Sequence, residues 1–321
     1  MQTAIIKTKV SNHLRKMMKS YVFLWKLYDF YFSLHNQLVL KKHASPLASV
    51  ERNPEDPSLE NVTSQVATTY QCFEPRYKEW CDIMRSPARM NRKQWEFVYI
   101  LEVLRQMGCI AEGKRGLGFG CGQEPIPAIL AKQGCNIVAT DLDFDSAYEQ
   151  GWATTQQHAA TLEAVNTFGI CHGDIFRRRV SFRVVNMNDI PQDLRGFDFL
   201  WSSCALEHLG SLGQGLKFIH NAMACLNPGG IAVHTTEFNL SSDEDTIDAP
   251  ALALYRKKDI LGLEKELQSM GHNVLPLNFC AGTLPIDDYV DLPPYHSSPS
   301  LKIQIQQFAV TSIGLIIKKA V

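Results

Sequence analysis

Gly116-Leu117-Gly118-Phe119-Gly120-Cys121-Gly122 is followed downstream by Asn136-Ile137-Val138-Ala139-Thr140-Asp141, and these two stretches decide the fold. An apolar run ending in alternating glycines predicts a strand that turns into a helix. Glycine removes the Cβ atoms, so backbone N–H groups can come against a ligand. The second run closes on a carboxylate about 20 residues later, at the tip of the next strand, where it can take the hydroxyls of a ribose. Together they imply a nucleoside-containing cofactor.

Working outward, short apolar runs recur near 115–119, 136–140, 180–186, 197–203 and 230–236. Helical patterns lie between them, near 125–134, 145–166 and 211–226. This alternation predicts a parallel sheet covered on both faces. Pro228-Gly229-Gly230 reads as a tight turn into the fifth strand. Beyond residue 250 the pattern predicts a helix (251–270), an apolar run (273–279), an acidic loop and a last strand at 308–318. Upstream, residues 61–108 read as helical, with Trp95, Val98, Tyr99, Leu101, Val103 and Leu104 forming an apolar stripe that Gly108 ends. Residues 46–60 carry Pro46, Pro54 and Pro57 and read as a linker or an extended surface strap. The expected organisation is therefore an extension (1–45), a linker (46–60) and one domain (61–321).

The chain has 321 residues, 45% of them hydrophobic, which suffices for a sizeable core. A formal net charge of −1 offers no global case for nucleic acid. Nine cysteines, an odd number without a C-x-x-C pair, read as free thiols in a reducing compartment and point to a cytoplasmic location. Residues 1–45 differ: eight Lys/Arg stand against the single acid Asp29, around the aromatic stretch 21–32. Lys26 and Asp29 make that stretch too polar to span a bilayer, and no small-residue cleavage site marks a secretory signal. Two readings stay open: a helix on an anionic membrane surface, at the inner face of the membrane, or a helix packed on the main domain or a second subunit.

The dinucleotide spacing G-x-G-x-x-G fails from each starting glycine, and no Gly-Lys-Ser/Thr follows for a phosphate loop. Gly118-x-Gly120-x-Gly122 instead resembles the first motif of class I S-adenosylmethionine-dependent methyltransferases. Four further motifs follow in that family's order. They are Asp141-Leu142, Asn186-Met187-Asn188-Asp189-Ile190-Pro191, Phe197-Asp198 running to Leu206-Glu207-His208, and Leu226-Asn227-Pro228-Gly229-Gly230. The resemblance covers about residues 112–318 and extends to an uncharacterised bacterial branch met beside sugar-polymer assembly enzymes.

This likeness implies a Rossmann-like α/β fold with a seven-stranded sheet in the order 3-2-1-4-5-7-6, strand seven antiparallel. It implies S-adenosyl-L-methionine held by Gly118, Gly120 and Gly122, with Asp141 on the ribose, Leu142, Asn186 and Met187 around the adenine, and Ser203 at the end of the fourth strand. Relatives keep an acid two residues before the first motif glycine. Gly116 stands there, which leaves the turn Gln123-Glu124-Pro125 or the N-terminal helices to replace it. The implied activity is methyl transfer to an oxygen, or less readily a nitrogen, of a small molecule or glycan. A non-catalytic cofactor-binding subunit and another nucleoside-cofactor enzyme are the alternatives.

An oxygen acceptor needs somewhere to send its proton. Polar residues at the carboxyl ends of strands four and five have the best position for that. His208 follows strand four, whereas His234 and Glu237 end strand five in the run His234-Thr235-Thr236-Glu237. A strand regular to residue 237 would send His234 and Glu237 to opposite faces. His234, Glu237, Asp287 and Asp288 could also serve a hard cation, although no ligand spacing stands out and no metal is expected. Tyr289, Tyr295 and His296 in the 285–296 loop are candidate acceptor contacts or loop anchors.

Overall fold

The computed structural model describes residues 34, 36–39, 53–149 and 158–321. In chain order these give α1 (helical residues 34 and 36–39), β1 (Ser64–Val66), α2 (Thr69–Phe73), α3 (Pro75–Ile83) and α4 (Arg92–Gln106). Then come β2 (Arg115–Phe119), α5 (Ile126–Lys132), β3 (Asn136–Asp141), α6 (Phe144–Glu149), α7 (Gly173–Arg179), β4 (Val180–Val184) and β5 (Phe197–Ser203). They lead to α8 (Leu212–Ala222), β6 (Leu226–Asn239), a small ribbon of β7 (Asp248–Ala249) and β8 (Leu252–Ala253), and α9 (Lys257–Ser269). The chain ends through β9 (Asn273–Val274), β10 (Leu277–Asn278), β11 (Ile303–Ile305) and β12 (Phe308–Lys318).

One sheet dominates, with the spatial path β10-β1-β12-β6-β5-β2-β3-β4. The run from β4 to β6 is parallel and β12 is antiparallel to β6, as expected for the fold. The far edge differs. The expected sixth strand is split: β9 pairs β12 directly, then the polar segment β1 takes over that edge and β10 pairs β1 instead. Residues 61–108 are thus not helical throughout. Ser64 and Gln65 are buried, and Ser64 Oγ accepts the Ile316 N–H while Gln65 Nε2 donates to the Ser58 carbonyl. Buried polar groups must find partners, and the sheet edge supplies them. The stretch 46–60 is no free tether at its described end. Asp56 to Leu59 are buried, and the Leu59 N–H donates to the Glu74 carboxylate.

Both faces of the sheet are covered, which explains the nearly continuous apolar strands. Along β5, Phe199 and Trp201 pack toward α4 and α5, while Leu200 packs toward α8 and α9. In β2 two glycines lie in register with two of those rings: Gly116 opposite Phe199 and Gly118 opposite Trp201. A Cβ at 116 would stand 2.4 Å from the Phe199 ring, and one at 118 would stand 2.4 Å from both Trp201 Cζ2 and Cys121 Sγ. These glycines make room for aromatic side chains of the neighbouring strand.

Three element boundaries moved. Pro228-Gly229-Gly230 lies within β6 as an irregularity, with Phe197 opposite Leu226 and Phe199 opposite Ile231. Pairing with β12 carries β6 on to Asn239. The expected 145–166 helix does not run through: residues 158–160 are not helical, and at Ala159 the chain is back on the Asp141 carboxylate. The 251–270 helix begins only at Lys257. All nine cysteines are free. At the N-terminus, Asn36 exchanges side-chain hydrogen bonds with the Val290 backbone and Val39 packs on Leu284 and Ile286. The aromatic stretch 21–32 and its membrane reading lie outside the described residues. Among those, no helix is long and apolar enough to cross a membrane.

Candidate functional site

The site is built at the carboxyl ends of β2, β3, β4 and β5. Gly120 and Gly122 have φ of +58° and +50°, the left-handed region that glycine enters without steric cost. They fold the chain across the tip of β3, where the Cys121 N–H donates to the Thr140 carbonyl. A Cβ at Gly120 would stand 2.9 Å from Ala205 Cβ, so the bare backbone leaves a cradle there. Gly118 is different. It lies inside β2 beneath Trp201 and does not line the cavity. The turn therefore starts at Gly120, and Gly118 packs inside the strand that leads into it.

A cavity of about 910 Å³ opens over this turn. Gly120, Gly122, Asp141, Leu142, Asn186, Met187, Ser203 and His208 all line it. Its volume suits a ligand of nucleoside size. The Asp141 carboxylate accepts the N–H groups of Gly122 (3.1 Å), Leu142 (2.8 Å) and Ala159 (3.0 Å). Burial still lifts its pKa above the ordinary carboxylate value, against the pull of those donors. Asn186 Oδ1 accepts the Asn188 N–H (2.9 Å), which fixes the side chain at the cavity wall. Sequence reasoning did not find His158, whose Nε2 lies 2.8 Å from the Leu142 carbonyl, nor Pro250 and Ala251, which close the rim. No local pattern marks them, because distant loops bring them in.

The three candidate proton acceptors separate. His234 is fully buried with Nδ1 2.8 Å from Ser202 Oγ and its ring edge-on to Phe218. Burial pushes its pKa down to about 3, and it does not line the cavity. A base so weak is mismatched to neutral pH, so His234 is a structural residue. Because β6 stays regular, Glu237 points the other way, toward α4. There its Oε1 is 2.7 Å from an Arg92 nitrogen, and Glu237 is likewise absent from the cavity wall. His208 alone of the three faces the cavity. Its Nδ1 lies 2.8 Å from the Ala251 carbonyl, which can only accept, so the ring proton is assigned to Nδ1 and the basic lone pair to Nε2. Nε2 is 4.0 Å from Glu207 Oε1. Glu207 is buried and takes a hydrogen bond from Thr236 Oγ1 (3.1 Å). Burial raises its pKa, while His208 pulls it down.

Behind the wall lies a buried charged network. Glu96 is inaccessible and accepts from Ser203 Oγ (3.3 Å), the Cys204 thiol (2.9 Å), Ser312 Oγ and Arg92 (3.3 Å). Lys93 is 3.5 Å away. Burial pushes Glu96 up, but Lys93, Arg92 and the thiol and hydroxyl donors outweigh it and hold the carboxyl below its ordinary value. Cys204, at φ +45°, turns the chain sharply out of β5. The thiol bond to Glu96 and the N–H bond to the Thr235 carbonyl (3.0 Å) hold that strained residue in place.

The 285–296 loop anchors itself. The Asp287 carboxylate takes the Thr69 and Leu284 N–H groups, Asp291 holds His296 by its Nδ1 and backbone N–H (2.7 Å each), and the Tyr295 hydroxyl donates to the Gln304 carbonyl (2.6 Å). His234, Glu237, Asp287 and Asp288 do not converge. Among the described residues no three His, Cys, Asp or Glu side chains gather as a metal site.

A family model described as a methyltransferase domain matches residues 90–275, more than half of the chain. No curated protein sequence matches. Among solved structures, an S-adenosylmethionine-dependent methyltransferase from Clostridium acetobutylicum is 15% identical, with 72% of this chain and 93% of that chain covered and a TM-score of 0.41. Magnesium protoporphyrin IX methyltransferase from Synechocystis is 12% identical (76% and 94% covered, TM-score 0.41). A protein named as a sarcosine dimethylglycine methyltransferase from Galdieria sulphuraria is 18% identical (57% covered, TM-score 0.39), and the chain spans only 60% of its length.

Proposed function

Because the chain belongs to the methyltransferase-domain family and is a class I S-adenosylmethionine-dependent enzyme, we propose that it methylates an oxygen of a small molecule or glycan, with His208 as the proton acceptor. The cofactor supplies an already activated methyl group. The protein's task is then to align the acceptor and to remove its proton. The orientation of His208 carries this reading: its Nδ1 faces the Ala251 carbonyl, which puts the basic lone pair on Nε2, in a side chain on the cavity wall. The ring stands 4.0 Å from the Glu207 carboxyl. An oxygen acceptor uses such a base throughout, whereas an amine that arrives neutral needs none before the transfer. That difference favours oxygen.

The test is turnover with methyl-tritiated cofactor against catechols, sugars, sugar phosphates, hydroxy acids and amines. On the acceptor found, His208→Gln is expected to lower kcat by about 10²- to 10⁴-fold, the usual worth of a positioned base. Affinity for S-adenosylhomocysteine should hardly change. His234→Gln should keep kcat near the wild-type value and lower only thermal stability. Full turnover by His208→Gln on a hydroxyl acceptor would sink the assignment. If the cofactor binds but no acceptor in the panel is methylated, the non-catalytic subunit becomes the better reading.

A further inference from the structure

At Gly118 the space for a side chain is taken by the Trp201 indole and the Cys121 thiol, each 2.4 Å from where a Cβ would be. The same indole reaches over the turn and donates from Nε1 to Glu124 Oε1 at 2.6 Å. Glu124 is buried and is among the residues that line the cavity. A carboxyl from after the turn thus lies against the ring that fills the space at Gly118.

The two ends of the cavity differ in chemistry. Asp141, Leu142, Asn186 and Met187 gather at the tips of β3 and β4, whereas Lys93, Phe97, Ser203 and Cys204 gather where α4 meets β5. Glu124 is tied to β5 through Trp201 and so belongs to the second end. A nucleoside seated at the first end sends its sulfur-linked amino-acid tail toward the second. There a carboxyl and the Lys93 ammonium offer opposite charges to the two groups of a zwitterion.

We infer that Glu124 binds the ammonium of the cofactor's amino-acid moiety. This rests on the cavity being the S-adenosylmethionine site. The groups facing Glu124 are Trp201 from β5, Cys121 from its own turn, Asp141 from β3 and Lys93 from α4. Burial pushes the Glu124 carboxyl up to about 8, with the Trp201 and Cys121 hydrogen bonds opposing that shift. Burial thus favours the neutral acid before the ligand arrives, and an arriving ammonium draws out its proton. The Glu124 O–H bond breaks and its proton passes to buffer as the ion pair forms, and no other covalent bond changes.

Calorimetry tests this on the full chain at pH 7, in two buffers of different ionisation enthalpy. Wild type is expected to release close to one proton per S-adenosylhomocysteine bound. Glu124→Gln, which keeps an oxygen for Trp201, should release none and bind roughly 10- to 100-fold more weakly, the scale of one charge-assisted hydrogen bond. 5′-Methylthioadenosine lacks the amino-acid tail, so it should bind both proteins alike and release no proton. Equal S-adenosylhomocysteine affinity in the two proteins overturns the inference. So does an equal loss of 5′-methylthioadenosine binding, because that outcome means a damaged turn. If wild type binds neither compound, the cofactor site itself is wrong. Binding of both with no effect of Glu124→Gln removes only this assignment.

Discussion

Gly118→Asp, which installs a carboxylate just before the glycine turn, is expected to cost the fold and to gain nothing for the cofactor. Its Cβ would meet the Trp201 ring and the Cys121 sulfur at 2.4 Å, and both side chains are buried. Overpacking of a filled core costs about 1–3 kcal/mol and sometimes more. A carboxylate buried there without donors adds roughly a few kcal/mol. A total on the order of 5 kcal/mol is comparable to the whole stability of many domains. Urea denaturation and S-adenosylhomocysteine calorimetry measure the two effects. Gly118→Ala isolates the steric part, and its deficit should shrink in a Trp201→Phe background, because the two residues share the clash. A Gly118→Asp protein with wild-type stability would contradict the packing described here.

Arg92→Met is expected to destabilise by about 3–5 kcal/mol, the cost of removing one partner from a buried ion pair. Arg92 holds Glu237 at 2.7 Å and Glu96 at 3.3 Å, and its side chain is 10% exposed. Methionine has a similar reach and no charge, so Glu237 loses the Arg92 cation and Glu96 is left with Lys93. The deficit should depend on pH. Glu96 lies below its ordinary value in the folded protein, so its contribution is present above the unfolded-state value and is lost as pH falls through the folded one. Arg92 is one of the cations that hold Glu96 down, so this contribution is smaller in the variant. The gap between the two proteins should therefore narrow in urea denaturation as pH falls below about 4.5, the ordinary value of the carboxyl. A gap that stays constant or widens would show that Arg92 acts by packing alone. Adding Glu237→Gln to Arg92→Met should recover part of the loss at pH 8.

The parallel sheet was legible because its signals are local. β2, β5 and β12 begin and end where the apolar runs do, and Asp141 stands at the tip of β3 as its place after an apolar run requires. The register of the glycine turn was not legible. Gly116, Gly118, Gly120 and Gly122 alternate without distinction in the sequence. They differ only in that two face rings of the next strand while two take positive φ. The short strand β1 was also hidden, since three residues, two of them polar, have no periodicity to read.

Taken alone, the sequence determined the fold class, the nucleoside end of the cavity and the set of polar residues at the strand tips. Each of these follows from residue type and spacing within one strand–turn–helix unit. Which polar residues meet the cavity was decided by tertiary structure. Pairing with β12 lengthens β6 past Glu237, which turns His234 into the core and Glu237 onto Arg92. The loop carrying Ala251 brings a carbonyl to His208. Trp201, admitted by Gly118, draws Glu124 to the cavity wall. These contacts join residues far apart in the chain, and they are set by strand register and the space that neighbouring side chains leave.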